Sequence, residues 1–115
     1  VAEGHEVGSH SYSHRRMSKM TDLNEIKYEI DKATQDLHAV IGYKPYLFRP
    51  PMGDIDNRVL QHLKSEGYTV IMWNTGNLDW YYKDGDRANE AMMKSRACVG
   101  GIVTMHDYAQ YMNNG

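Results

Sequence analysis

The sequence is 115 residues long, 41% hydrophobic and 24% charged, with a formal charge of −2. These values suit one globular domain and argue against both a disordered chain and a two-domain one. The charge balance supplies no basic field for nucleic-acid phosphates. A single cysteine, Cys98, excludes an intrachain disulfide framework, and no apolar run approaches the ~20 residues a membrane-spanning helix needs. Six histidines, nine tyrosines and two tryptophans in so short and acidic a chain lean toward a carbohydrate cleft or a metal site. The chain opens on Val1 with no leader pattern and closes on Asn113-Asn114-Gly115, so it reads as a segment cut from something longer.

Taken in order, Glu6 to Ser11 reads as a brief strand. The clearest helix starts at Asp22, an N-cap residue with Glu25 three positions on. Leu23, Ile26, Ile30, Ala33, Leu37 and Val40 recur at helical spacing and predict one buried stripe. Gly42 fits the helix stop, and Pro45 follows. Tyr46 to Arg49 reads as a strand halted by Pro50-Pro51. Asp56 or Asn57 caps a second helix carrying Val59, Leu60 and Leu63, closed by Gly67. Tyr68 to Asn74 is rich in β-formers and reads as a strand. Asp86 caps a third helix running to about Arg96, and Gly101 to Met105 is a last strand. Strands alternating with helices predict an α/β domain with a parallel sheet. Ligands in such sheets sit at the carboxyl ends of the strands, where His10, His14, Arg49 to Gly53, Asp79, Trp80 and His106 fall.

Each group has a chemical and a plain reading. His10 and His14 stand four residues apart, which on a helical turn places both rings on one face, close enough to share a metal. The plain alternative is a polar surface loop. In Arg49-Pro50-Pro51-Met52-Gly53 the prolines stiffen the turn. Such a turn holds an arginine and a backbone N–H in place for electrostatic work, or is an ordinary loop with a surface ion pair. An aspartate beside a histidine fixes its tautomer and suits it to proton donation near neutral pH; Asp79 and the His106-Asp107 pair are candidates, and the plain alternative for His106 is a satisfied interior histidine. Trp80 suits stacking on a sugar ring or partial burial.

Together and in order, these segments resemble the polysaccharide deacetylase family, the NodB-like domain of carbohydrate esterase family 4, from about Gly4 to Asp107. Gly4 to His14 looks like that family's second motif with its lead-in, and the resemblance makes His10 and His14 metal ligands. Arg49-Pro50-Pro51-Met52-Gly53 looks like the third motif. Arg49 then holds the catalytic base as an anion, while Met52, standing where tyrosine is usual, keeps the backbone N–H that contacts the oxyanion. Gly76-Asn77-Leu78-Asp79-Trp80 matches the fourth motif without its first aspartate; Asp79 tunes the acid histidine and Trp80 walls the sugar groove. Thr104-Met105-His106 matches the fifth motif, with His106 as general acid and Thr104 in place of the leucine of the acetyl-methyl pocket. The first motif, Thr-Phe-Asp-Asp, with the base and an aspartate ligand, is not in this sequence.

The resemblance implies an incomplete (β/α) barrel lacking its opening strand and helix, a partial domain over residues 1–115. It implies a hydrolase acting on linear amide C–N bonds. A divalent metal, zinc first with cobalt or nickel as substitutes, would assist removal of acetyl groups from chitin or peptidoglycan. An acetyl xylan O-esterase and a non-catalytic carbohydrate-binding relative are the alternatives. The partner is a polysaccharide or oligosaccharide, with no nucleic acid and no membrane span, and the implied location is extracellular or at the cell surface. With two ligands in place of the three typical of catalytic zinc, this chain alone is expected to bind metal poorly and release little acetate.

Overall fold

The computed structural model describes residues 3–73, 75–76 and 101–106. The chain divides into two compact units, Val1–Met72 and Trp73–Gly115.

In the first unit, helix α1 spans Leu23–Ile41 and helix α2 spans Asn57–Ser65. Strands β1 (Leu47–Phe48) and β2 (Thr69–Val70) pair in parallel, Leu47 opposite Thr69 and Phe48 opposite Val70. Their ladder includes Thr69 N–H to the Tyr46 carbonyl (2.7 Å) and Ile71 N–H to the Phe48 carbonyl (2.8 Å). On the other side of β1, Ser9 forms a parallel bridge with Phe48. Ser9 N–H donates to the Leu47 carbonyl at 2.7 Å, and Arg49 N–H donates to the Ser9 carbonyl at 2.9 Å. Three parallel segments therefore lie side by side, with β1 in the middle. Their carboxyl ends deliver His10, Arg49 and Ile71 to one edge.

The helix ends follow local chemistry. The Asp22 carboxylate accepts from Asn24 N–H at 2.8 Å, and Gly42 closes α1 at φ 84°, a left-handed conformation open to glycine. Glu25 does not complete a capping box; it pairs with Arg15 at 3.5 Å. Asp56, rather than Asn57, caps α2 by accepting from Arg58 and Val59 N–H. Gly67 turns the chain at φ 81°, and Tyr68 N–H closes on the Leu63 carbonyl at 2.9 Å.

The core consists of Met17, Met20, Ile26, Ile30, Phe48, Val59, Leu63 and Tyr68, with Ile55 and Val70 packed against it. The α1 stripe is buried only in its middle, at Ile26, Ile30 and Ala33. Leu23 is 45% exposed and Val40 83% exposed, which corrects the expectation of one continuous buried stripe. Its spacing is helical throughout, but burial also needs an opposing surface, and the core residues cover only the middle turns.

The strands are shorter than their β-forming residues suggest. Glu6 to Ser11 contributes one bridge at Ser9, Tyr46 to Arg49 contracts to Leu47–Phe48, and the segment from Tyr68 contributes Thr69–Val70. In the second unit, β3 (Thr75–Gly76) and β4 (Val103–Thr104) pair in parallel, Thr75 opposite Val103 and Gly76 opposite Thr104. The last predicted strand, Gly101 to Met105, thus contracts to β4. The third predicted helix, together with Asp79, Trp80 and Cys98, lies outside the described residues.

Candidate functional site

The site begins just past the Ser9 bridge. His10 leaves the sheet edge, and its Nδ1 lies 2.7 Å from the Arg49 carbonyl oxygen. A carbonyl only accepts, so this bond places the proton on Nδ1 and leaves the ligand lone pair on Nε2. The rings of His10 and His14 meet edge to face, centroids 4.9 Å apart at 71°. A metal about 2.0–2.1 Å from one nitrogen of each ring, at a tetrahedral angle, sets such centroids roughly 5 Å apart. The observed centroid separation is thus the spacing of two imidazoles on one divalent ion, and neutral imidazoles suit zinc, cobalt or nickel. Among the described residues, no group of three His, Cys, Asp or Glu is placed to hold a metal.

The backbone between the rings is not helical, although a helical turn is the simplest way for this spacing to put both rings on one face. Ser11 has φ 68° and His14 has φ 60°, a sparsely populated region for residues with a Cβ. The Ser11 hydroxyl accepts from His14 N–H at 3.0 Å, closing the segment into a tight loop. Two left-handed residues thus bring the rings together within a loop.

The loop is held from behind by a residue that sequence reading missed. Glu29, on α1, is 3% exposed. Its carboxylate accepts from the Ser13 N–H at 3.1 Å and from the Ser13 hydroxyl, and its backbone carbonyl accepts from Tyr12 N–H at 3.0 Å. The available signal was an acid at the edge of the α1 apolar stripe, three residues after Ile26 and next to Ile30, where burial requires hydrogen-bond partners.

Arg49 is half-buried at the end of β1. Beyond it, Pro51–Gly53 forms a single 3-10 turn in which Met52 sits at φ 59°, ψ 12°. Gly53 N–H donates to the Pro50 carbonyl (3.1 Å) and Asp54 N–H to the Pro51 carbonyl (3.0 Å), so neither closing bond uses the Met52 N–H. The Met52 side chain is 51% exposed, and its sulfur accepts from the Arg16 guanidinium at 3.3 Å. Asp54 accepts from Ser18 N–H at 3.0 Å and from the Ser18 hydroxyl. These bonds, chiefly the hydroxyl's, with Arg16 and Lys19 nearby, hold the Asp54 carboxyl below the usual carboxylate range. Arg58 and the Val59 N–H do the same for Asp56. Both aspartates are thereby committed to structural bonds.

In the second unit, His106 follows β4 by two residues and is half-buried. Gly76 and Thr104, the two departures from the fourth and fifth motifs, are register partners. Of the expected site residues, the structure brings His10, His14 and the Arg49 backbone together and places Met52 on the adjoining turn. His106 is described within its own unit, and Asp79 and Trp80 lie outside the described residues.

The sequence profile of the polysaccharide deacetylase family matches residues 1–71. A peptidoglycan-N-acetylglucosamine deacetylase of Listeria monocytogenes is 32% identical over 107 residues, covering 93% of this chain and 22% of that protein. Chitin deacetylase 1 of Saccharomyces cerevisiae is 32% identical over 116 residues, covering 96% of this chain and 38% of that protein. The chain thus spans well under half the length of either relative. The structure of the peptidoglycan deacetylase PdaC from Bacillus subtilis superposes with a TM-score of 0.82 at 27% identity, covering 95% of this chain and 52% of that one. A carbohydrate esterase family 4 pseudoenzyme from Bacillus anthracis superposes with a TM-score of 0.76 at 28% identity, covering 94% of this chain and 38% of that one.

Proposed function

The chain belongs to the polysaccharide deacetylase family, and on that premise we propose that it carries part of the site of a metal-dependent N-deacetylase acting on chitin or peptidoglycan. The observation that carries this reading is the His10–His14 pair, rings 4.9 Å apart, with the His10 tautomer set by the Arg49 carbonyl. A divalent ion, zinc first and cobalt or nickel as substitutes, would supply Lewis acidity there.

The chain's own residues divide the remaining work. His10 and His14 would hold the ion through neutral ring nitrogens. The Arg49 guanidinium keeps a neighbouring carboxylate ionised as the base. The Met52 N–H faces the developing negative charge on the acetyl oxygen. By the family resemblance, His106 would donate a proton to the departing nitrogen, with Asp79 as its orienting partner and Trp80 as a wall of the sugar groove. The amide C–N bond breaks, water's hydroxyl joins the acetyl carbon, and acetate and a free amine leave. A third ligand and the base belong to the Thr-Phe-Asp-Asp motif, which this sequence does not contain. On this reading the chain is a partial NodB-like domain of an incomplete (β/α) barrel, and its polymer substrate sets an extracellular or cell-surface location.

A second reading, a non-catalytic carbohydrate-binding relative, is favoured by the likeness to a family pseudoenzyme and by Gly76 and Thr104 at motif positions. One experiment separates the readings. The chain is joined to an upstream segment carrying the Thr-Phe-Asp-Asp motif, because the 115 residues alone are expected to release little acetate. Acetate release is then measured from chitin oligomers, peptidoglycan and acetylated xylan, with chelator and then with zinc restored. Release from the first two, abolished by chelation and recovered with zinc, is expected. Release only from xylan would make the protein an O-esterase. Saccharide binding without release from any substrate would support the non-catalytic reading.

A further inference from the structure

We infer that Glu29 is a positioning residue that holds His10 and His14 in register for a shared ion. The inference rests on the metal reading of that pair, but its structural half stands apart from it.

A carboxylate at 3% exposure is costly to keep unless its oxygens are hydrogen-bonded. Both oxygens of Glu29 are spent on one residue, Ser13, through its N–H and its hydroxyl. The Glu29 carbonyl takes the Tyr12 N–H at 3.0 Å. All three bonds fall on residues 12 and 13, inside the span that joins the two rings. The span's ends are fixed separately, His10 by the Arg49 carbonyl at 2.7 Å and the His14 N–H by the Ser11 hydroxyl at 3.0 Å.

Within that span, Ser11 at 68° and His14 at 60° both have positive φ. Such conformations persist where the surroundings over-determine them, and they cluster at functional sites. Glu29 supplies that determination from α1, whose own seat is the buried face of Ile26 and Ile30. The chain of cause runs from the core, through a helix, through one carboxylate, to the angle between two rings. A carboxylate suits the task because its two oxygens accept the two donors of Ser13 at once. An apolar residue of similar size would fill the space and release the loop.

The test compares the protein with its Glu29→Ala, Glu29→Gln and Ser13→Ala variants in two ways. Long-range proton–nitrogen spectra of the metal-free protein report the ring tautomers and environments of His10 and His14. Titration with cobalt(II) reports affinity and coordination through its visible absorption. In Glu29→Ala, both ring signals and the amides of residues 11–14 are expected to move while those of Phe48 and Leu63 stay. Cobalt affinity should fall ten- to a hundred-fold, the range for loss of a residue that orients metal ligands. Glu29→Gln should recover most of it, because its amide oxygen still accepts Ser13 N–H and the hydroxyl can turn to accept from the amide nitrogen. If Glu29→Ala loses its fold, Ser13→Ala decides the matter, with a several-fold loss of cobalt affinity and intact core signals expected. Unchanged ring spectra or unchanged cobalt affinity in the folded variants would overturn the inference. Because the two-ligand chain is expected to bind weakly, the titration runs to a large excess of cobalt. Absence of uptake by the unmutated protein even there would instead contradict the metal reading, and the ring spectra would still decide whether Glu29 holds the pair.

Discussion

Thr34 and Tyr68 join α1 to the start of β2 by a buried hydroxyl–hydroxyl hydrogen bond, and their two single substitutions should differ in a predictable direction. Thr34 is 5% exposed and Tyr68 6%, so both residues are largely withdrawn from water. The Thr34 hydroxyl also donates to the Ile30 carbonyl at 3.0 Å. Tyr68→Phe therefore removes one bond and leaves Thr34 still engaged, a loss of about 0.5–1.5 kcal/mol. Thr34→Val keeps the shape but strands the Tyr68 hydroxyl in the core, at about 1–3 kcal/mol. The double variant leaves neither group orphaned, so its loss should fall short of the sum. Urea denaturation of the four proteins checks this. Near pH 7, a Tyr68→Phe loss equal to or larger than that of Thr34→Val, or strict additivity, would refute the reasoning. Alkaline pH adds a second signature. Burial, partly offset by the Thr34 bond, raises the Tyr68 pKa above its ordinary 10.0. The protonated ring is thus favoured in the folded state, so this contribution is full below about pH 10 and is lost as pH rises through the higher folded value. Tyr68→Phe should flatten that part of the stability curve.

Two further predictions concern the edges of the site. Asp54, its pKa lowered by Ser18, contributes stability above its ordinary pKa of 3.8 that is lost as pH falls through the depressed folded value; Asp54→Asn should remove that acid dependence in a pH series of thermal melts. A Cβ on Gly8 would lie 3.1 Å from the Leu47 Cβ and 3.2 Å from the Leu47 carbonyl oxygen, beside the bond that anchors Ser9. Gly8→Ala should cost about 1–3 kcal/mol by forcing the two backbones apart, and hydrogen exchange should quicken at Ser9 and Arg49.

What could be read from the sequence was what is decided locally. Asp22 and Gly42 set the ends of α1 through their own side chain and backbone freedom, and both hold in the structure. Strand lengths are decided by partners. Tyr68, Ile71 and Trp73 advertise β-structure, yet pairing with the two residues of β1 limits β2 to Thr69–Val70. The histidine pair was legible as spacing and as a family motif, but its geometry was not. Four residues apart suggests a helical turn, while the rings meet through positive φ at Ser11 and His14. Glu29 stayed hidden because its partner, Ser13, lies 16 residues back in the chain, beyond any local pattern.

The most direct measurement for the central claim is an anomalous difference map from crystals of the protein grown with zinc, collected on either side of the zinc edge. With zinc in excess to offset the two-ligand site's weak binding, one peak of partial occupancy is expected about 2.0–2.1 Å from His10 Nε2 and from a ring nitrogen of His14, lost in His14→Ala. A map with no peak between those two rings, in a protein that nonetheless releases acetate, would contradict a shared metal at this pair.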